Sequence, residues 1–227
     1  DGIHKFDDTW VFNPFTNKWL KNTNSTLSPA ARVTHAMAPF GIGGNVILFG
    51  GSGTNSSFSS KTWVYDKKTD QWMEDHTSSS PSARKSLTMG SLLGNGKIVL
   101  FGGQDRHYNN LLDTWIYADN EWTEGNTIHL SPKSRTGHAM APLGDNKILL
   151  FGGVGAVVGA DGYLPNFSDT WIFNKETGYW TKVDTLSSSP PSREGFAMAL
   201  LEQSKDVILF GGHGYNITWM FNQSKSE

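Results

Sequence analysis

Four aliphatic runs end in the same three residues: NVILFGG at 45–51, KIVLFGG at 97–103, KILLFGG at 147–153 and DVILFGG at 206–212. No other feature restricts the fold as tightly. Self-similarity at a period of about 50 residues marks a repeat array, in which one small unit recurs because it cannot bury its apolar faces alone. A glycine pair closing each run points to a corner where backbones approach too closely for a side chain.

Alignment on the glycine pairs brings further columns into register. Thr-Trp, then Val, Ile or Met, then an aromatic recurs in DTWVFN (8–13), KTWVYD (61–66), DTWIYA (113–118), DTWIFN (169–174) and ITWMFN (217–222). A second tryptophan follows in Trp19, Trp72, Trp122 and Trp180, so all nine tryptophans of the chain fall in two columns. Ahead of each glycine pair an arginine is followed five residues later by methionine: Arg32 and Met37, Arg84 and Met89, Arg135 and Met140, Arg193 and Met198. The unit is therefore four short segments, A (Arg to Met), B (ending in Phe-Gly-Gly), C (Thr-Trp) and D (second Trp). Each is rich in β-branched or aromatic residues and bounded by turn formers, which reads as strand. Two residues before each D-segment tryptophan stand Asn17, Asp70, Asn120 and Gly178, residue types that tolerate the left-handed backbone of a tight hairpin. Four antiparallel strands make one twisted sheet, and stacking such sheets radially buries bulky residues on both faces.

Phe-Gly-Gly at 49–51, 101–103, 151–153 and 210–212, the aromatic of segment C and the tryptophan of segment D together resemble the Kelch family. The resemblance covers essentially the whole chain. It implies an all-β fold, a Kelch β-propeller of four-stranded antiparallel blades with the A strand innermost around a central channel. The expected blade fragments are 1–28, 29–80, 81–130, 131–188 and 189–227, about four to five blades. Two closures are open at this point. Pairing the C-terminal A–B segments with the N-terminal C–D segments closes a four-bladed ring. Alternatively the chain belongs to a larger ring of about six or seven blades. The latter is preferred, because DGIHKFDDTW resembles the loop after a further glycine pair. Separately, the chain opens without Met or a signal peptide, which reads as a processed product or a fragment.

Composition excludes several functions. Lys and Arg number 19 against 21 Asp and Glu, scattered along the chain, so there is no basic footprint for nucleic acid. The aliphatic runs are far shorter than the roughly 20 residues of a membrane-spanning helix, and no membrane insertion is expected. Cysteine is absent, which removes disulfides, thiolate metal sites and cysteine nucleophiles, including the Tyr–Cys copper site of galactose-oxidase-like Kelch enzymes. The iron-binding Glu/Asp/His pattern of the family's plant specifier proteins is unmatched; EDH at 74–76 closes a D strand outside the channel. H-E-x-x-H, G-x-S-x-G and phosphate-cradling motifs are missing as well. No cofactor is expected. A sugar mutarotase or epimerase using Glu194 or Glu202 as base is the residual enzymatic option.

Binding is read from where the repeats differ, since residues common to all blades are architectural. Arg32, Arg84, Arg135 and Arg193 are expected to anchor inter-blade loops, and the methionine and tryptophan columns to pack between blades. His35 and His138 share a column with Leu87 and Phe196, so they read as core residues rather than metal ligands. By resemblance, residues at the D–A entry and in the B–C loops form the ligand face. The candidates are Thr34, Lys85, Ser86, Thr136 and Glu194 at the channel mouth, and Asp105, Arg106, His107 and Tyr108 in the second B–C loop. The longer third loop, 154–168, begins apolar and is a candidate contact for self-assembly. Five glycosylation sequons, at Asn24, Asn55, Asn166, Asn216 and Asn222, all fall in connections. The expectation is a non-catalytic binding or assembly module with a protein or glycan partner, extracellular or at a cell surface, with a structural subunit of a filament and an intracellular, cytoplasmic adaptor as alternatives.

Overall fold

A computed structural model describes residues 4–41, 43–93, 96–125, 130–144, 146–156, 164–184 and 188–222. These residues form antiparallel strands, with one 3₁₀ turn at Thr54–Ser56. Strands β1 (Trp10–Asn13) and β2 (Lys18–Lys21) make a hairpin. The first blade is β3 (Ala36–Phe40), β4 (Asn45–Phe49), β5 (Thr62–Asp66) and β6 (Gln71–Asp75). The second is β7 (Thr88–Leu92), β8 (Lys97–Phe101), β9 (Thr114–Ala118) and β10 (Glu121–Glu124). The third is β11 (Ala139–Pro142), β12 (Lys147–Phe151), β13 (Thr170–Asn174) and β14 (Tyr179–Lys182). The fourth has three strands, β15 (Phe196–Leu200), β16 (Val207–Gly211) and β17 (Thr218–Phe221).

The A strands are innermost and pack in series, β3 on β7, β7 on β11 and β11 on β15. The closed four-bladed pairing does not form among the described residues. β16 pairs with β17, the C strand that follows it in sequence, while β1 pairs only with β2. The C–D hairpins turn where the sequence places them, with φ of 53°, 55°, 60° and 74° at Asn17, Asp70, Asn120 and Gly178.

Strand alternation sends successive side chains of each blade to opposite neighbours. Ile47 and Phe49 of β4 pack with Met89, Leu100, Tyr117 and Trp122 of the second blade, whereas Leu48 packs with Trp63, Tyr65 and Trp72 on the other face. Phe101 of β8 likewise meets Trp171, Phe173 and Trp180 of the third blade. Three of the D-strand tryptophans also reach one unit back. Trp72, Trp122 and Trp180 donate their indole N–H to the hydroxyls of Thr9, Thr62 and Thr114, at 2.9, 2.8 and 2.9 Å. The glycine pairs are the corner the sequence predicts. The Gly51 and Gly103 N–H groups donate to the Arg84 and Arg135 carbonyls of the next blade at 2.8 and 3.0 Å. A Cβ on Gly50 would stand 2.7 Å from the Arg84 carbonyl oxygen.

Packing is not uniform along the array. Met89 and Met140 are buried as expected, but Met37 is 49% exposed because it points away from the second blade, toward the side where only the hairpin packs. The same position explains why Trp10 and Trp19 of the hairpin are exposed while the matching Trp63 and Trp72 are buried.

Candidate functional site

The arginine column is the framework of the loop face. In the second blade Arg84 is fully buried and donates Nε to the Ser82 carbonyl and Nη1 to the Gly102 carbonyl, both at 3.0 Å. Its Nη1 and Nη2 grip Asp113 through both carboxylate oxygens at 2.6 Å, and the Trp115 indole donates to the same carboxylate at 2.7 Å. The third blade repeats the set with Arg135, Asp169 and Trp171 at 2.7 to 2.8 Å. A buried guanidinium is tolerable because a bidentate carboxylate and backbone carbonyls satisfy its donors. Burial pushes the Asp113 and Asp169 carboxyls up. Hydrogen bonds and charge from Arg84 and Arg135, with the indoles, outweigh it and hold both below the usual carboxylate range.

These arginines are therefore tied mainly within their own blade, where the sequence pointed to inter-blade loops. Their backbones do cross to the preceding blade: the carbonyls accept from Gly51 and Gly103 at the glycine corner, and the N–H groups donate to the Ser59 and Leu111 carbonyls of its B–C loop at 3.3 Å. The aspartate of D-T-W is the functional residue that the repeat columns missed. Its signal is present: Asp8, Asp113 and Asp169 share a position that Lys61 and Ile217 interrupt.

Beyond the glycine pairs the first three blades extend into short bridges that build the loop face. Val33 pairs with Ser52 and Ser52 with Phe58, Lys85 with Gln104 and Gln104 with Asn110, Thr136 with Val154 and Val154 with Asn166. Lys85 is the residue these loops share. Its ammonium lies 5.1 Å from the Phe58 ring of the first B–C loop and 5.0 Å from the Tyr108 ring of the second, in cation–π range of both. Asn110 reaches the third loop, donating Nδ2 to the Val154 carbonyl at 3.1 Å. Tyr108 is 66% exposed with φ of 66°, held out by a turn in which Asp105 accepts from the His107 and Asn109 amides. Arg106 and His107 are exposed and contact each other at 3.1 Å.

The channel-mouth candidates separate. Thr34 and Ser86 have φ of 57° and 54° and are joined by a Ser86 N–H to Thr34 carbonyl bond of 2.9 Å. The matching Gly195 N–H and Gly137 carbonyl make the same inter-blade bond at 3.0 Å. Thr136 is buried and bonds Val154 through its backbone. Glu194 lies over Gly137, whereas Glu202 is at the other end of β15, so the two carboxylates do not converge. Of EDH, Glu74 pairs with Lys61 at 2.8 Å and Asp75 accepts from the Tyr117 hydroxyl, both on the outer strand. His138 is buried in its apolar column, 2.6 Å from the Thr88 hydroxyl through Nε2. Burial, with the Arg135 charge, pushes its pKa down to about 3. Asn24, Asn55, Asn166 and Asn216 are exposed and Asn222 is half-buried. Residues 157–163 of the 154–168 loop lie outside the described residues. Its base is closed by Gly155 to Pro165 and Phe167 to Gly153 bonds, and the Phe167 ring stacks 4.2 Å from the Arg135 guanidinium.

No helix among the described residues is long and apolar enough to cross a membrane. The chain is 32% identical over 158 residues to human Kelch domain-containing protein 1, covering 66% of this chain and 35% of that protein. It is 27% identical to an Arabidopsis thaliana F-box/kelch-repeat protein, over 93% of this chain and 50% of the relative. A flagellar outer-arm dynein alpha chain of Chlamydomonas reinhardtii is 29% identical over 56% of this chain and 3% of its own length. The chain thus spans about a third of the Kelch domain-containing protein it matches. A family model described as the KLHDC2/KLHL20/DRC7 Kelch-repeats domain matches residues 1–212. With its glycine corners, tryptophan columns and four-stranded blades, the chain belongs to the Kelch-repeat family.

Proposed function

We propose that this chain is a non-catalytic protein-binding module whose contact surface is the loop face centred on Lys85. The observation that carries the reading is the meeting of Phe58, Lys85 and Tyr108 from neighbouring blades. Strand positions repeat from blade to blade, and these loop residues do not. A cation held between two partly exposed aromatic rings offers adaptable contact area of the kind enriched at interfaces. The relatives' names, an F-box protein and a flagellar dynein chain, favour an intracellular adaptor over a secreted protein.

Site-specific photo-crosslinking tests this. A crosslinker in place of Tyr108 is expected to give partner adducts that Lys85→Ala reduces. One in place of Thr69, in the C–D turn at the opposite end of the blade, is expected to give none. Equal adducts at both positions would defeat the reading. One observation favours the surface-protein alternative, the exposure of Asn24, Asn55, Asn166 and Asn216. A glycosidase-sensitive mass shift of the native protein would decide for it.

A further inference from the structure

The first blade keeps the arginine and tryptophan of the buried set but not its acid. Arg32 donates Nε to the Ala30 carbonyl and Nη1 to the Gly50 carbonyl, both at 2.9 Å. Arg84 and Arg135 are held by the matching carbonyls at 2.8 to 3.0 Å. The guanidinium is thus oriented by backbone alone, whether or not a carboxylate is present. Lys61 stands where the neighbouring blades have Asp113 and Asp169, and its ammonium turns to Glu74 at 2.8 Å. The Arg32 Nη2 group therefore meets no acceptor among the described residues. Neither does the indole Nε1 of Trp63, a residue only 6% exposed. The fourth blade shows the same loss: with Ile217 at this position, Arg193 Nη2 and Trp219 Nε1 are buried and meet no hydrogen-bond partner among the described residues. There Tyr215 stacks 4.3 Å from the guanidinium and covers it.

The first blade instead opens. Arg32, Lys61, Trp63 and Glu74 line a cleft of about 530 Å³ together with Phe58 and the serines of the first B–C loop. Two cations against one carboxylate leave its lining with one positive charge in excess.

We propose that this cleft takes a carboxylate from an Asp or Glu side chain of a protein partner, completing in trans the Arg–Asp–Trp set that the second and third blades complete in cis. The carboxylate accepts from Arg32 Nη2 and Trp63 Nε1, as Asp113 does from Arg84 and Trp115. The inference rests on the loop face being a contact surface, since residues of the first B–C loop form one wall. It adds what that surface selects: an acidic residue that fits a fixed guanidinium fork.

The test follows the Trp63 indole N–H resonance of the whole chain, assigned with Trp63→Phe. Acetate is expected to shift it saturably, and chloride at equal ionic strength is not. A peptide carrying one Glu among Ser and Ala is expected to shift it, and its Gln counterpart is not. Lys61→Asp supplies the acid in cis, so its resonance is expected to be shifted at the outset and to ignore acetate. Arg32→Gln is expected to weaken acetate binding at least about tenfold, and this variant keeps the proposal testable if Lys61→Asp does not fold. No acetate shift, or an equal shift with chloride, overturns the site. Acetate binding without peptide binding overturns the protein source. None of these results decides the Tyr108 crosslink, so failure of the cleft and failure of the loop face are told apart.

Discussion

The first and second blades have the same strands, glycine corner and arginine held by the same two carbonyls, yet they differ at one position of the C strand entry. Asp113 in the second blade locks a fully buried arginine, while Lys61 in the first leaves that arginine partly exposed beside a cleft. The difference teaches that the acid is not what orients the arginine, and that without it the blade top closes only where another group covers the guanidinium, as Tyr215 does in the fourth blade. The comparison predicts unequal costs. Asp113→Ala strands a buried charge and is expected to destabilise by about 3–5 kcal/mol. Lys61→Ala removes an exposed pair with Glu74 and is expected to cost less than about 1 kcal/mol. Native-state hydrogen exchange of β7–β10 and β3–β6 amides would measure both. Equal protection losses in the two blades would dissolve the distinction.

A smaller effect sharpens the contrast within the histidine column. His138 and Leu87 hold equivalent places immediately before β11 and β7, and both are buried. Burial keeps His138 neutral, with a folded pKa of about 3. The unfolded chain has its histidine near 6.5, so it binds a proton that the folded state does not. Stability is complete above that unfolded value and falls with pH toward the folded one. The loss between pH 7 and pH 5 is expected to be about 2 kcal/mol from this residue. His138→Leu, which copies the second blade, is expected to remove that slope. Asp113 and Asp169, held below the carboxylate range, lose their contribution only at lower pH, so the slope left above pH 5 in His138→Leu is that of His35, whose pKa burial and the Arg32 charge also push down. A slope undiminished by His138→Leu would place the proton elsewhere.

What was legible in the sequence follows from the range of each interaction. Local chemistry was readable: Asn17, Asp70 and Asn120 adopt positive φ because a tight hairpin demands it, and the first three glycine pairs have no room for Cβ. Arg84 with Asp113, and Arg135 with Asp169, are separated by loops of different length, so their pairing has no fixed spacing to detect. The Phe58–Lys85–Tyr108 cluster joins three separate segments and needed the blade arrangement. Lys85 and Tyr108 were nevertheless singled out, because variation between repeats marked their loops. Thr34 and Ser86 were singled out by the same logic, and both have a left-handed backbone that glycine supplies in the third and fourth blades, which the residue types alone did not announce.

The smallest expected effect concerns the bond by which one blade recognises the next. The C-strand threonines Thr62 and Thr114 are buried and accept from Trp122 and Trp180 of the following blade at 2.8 and 2.9 Å. Valine conserves the shape of threonine and deletes only the acceptor. Thr62→Val leaves a buried indole N–H unsatisfied and is expected to cost about 1 kcal/mol. In a Trp122→Phe background, which has no indole donor, Thr62→Val is expected to change stability by less than about 0.5 kcal/mol. Thermal melts of Thr62→Val in the two backgrounds would measure the difference. A cost confined to the background that keeps Trp122 would make the Thr–Trp bond a true inter-blade fastening, adding direction and register to apolar packing that is otherwise indifferent to both. Equal costs would mean that the hydroxyl serves its own strand, and that apolar packing and the glycine corner hold the blades together.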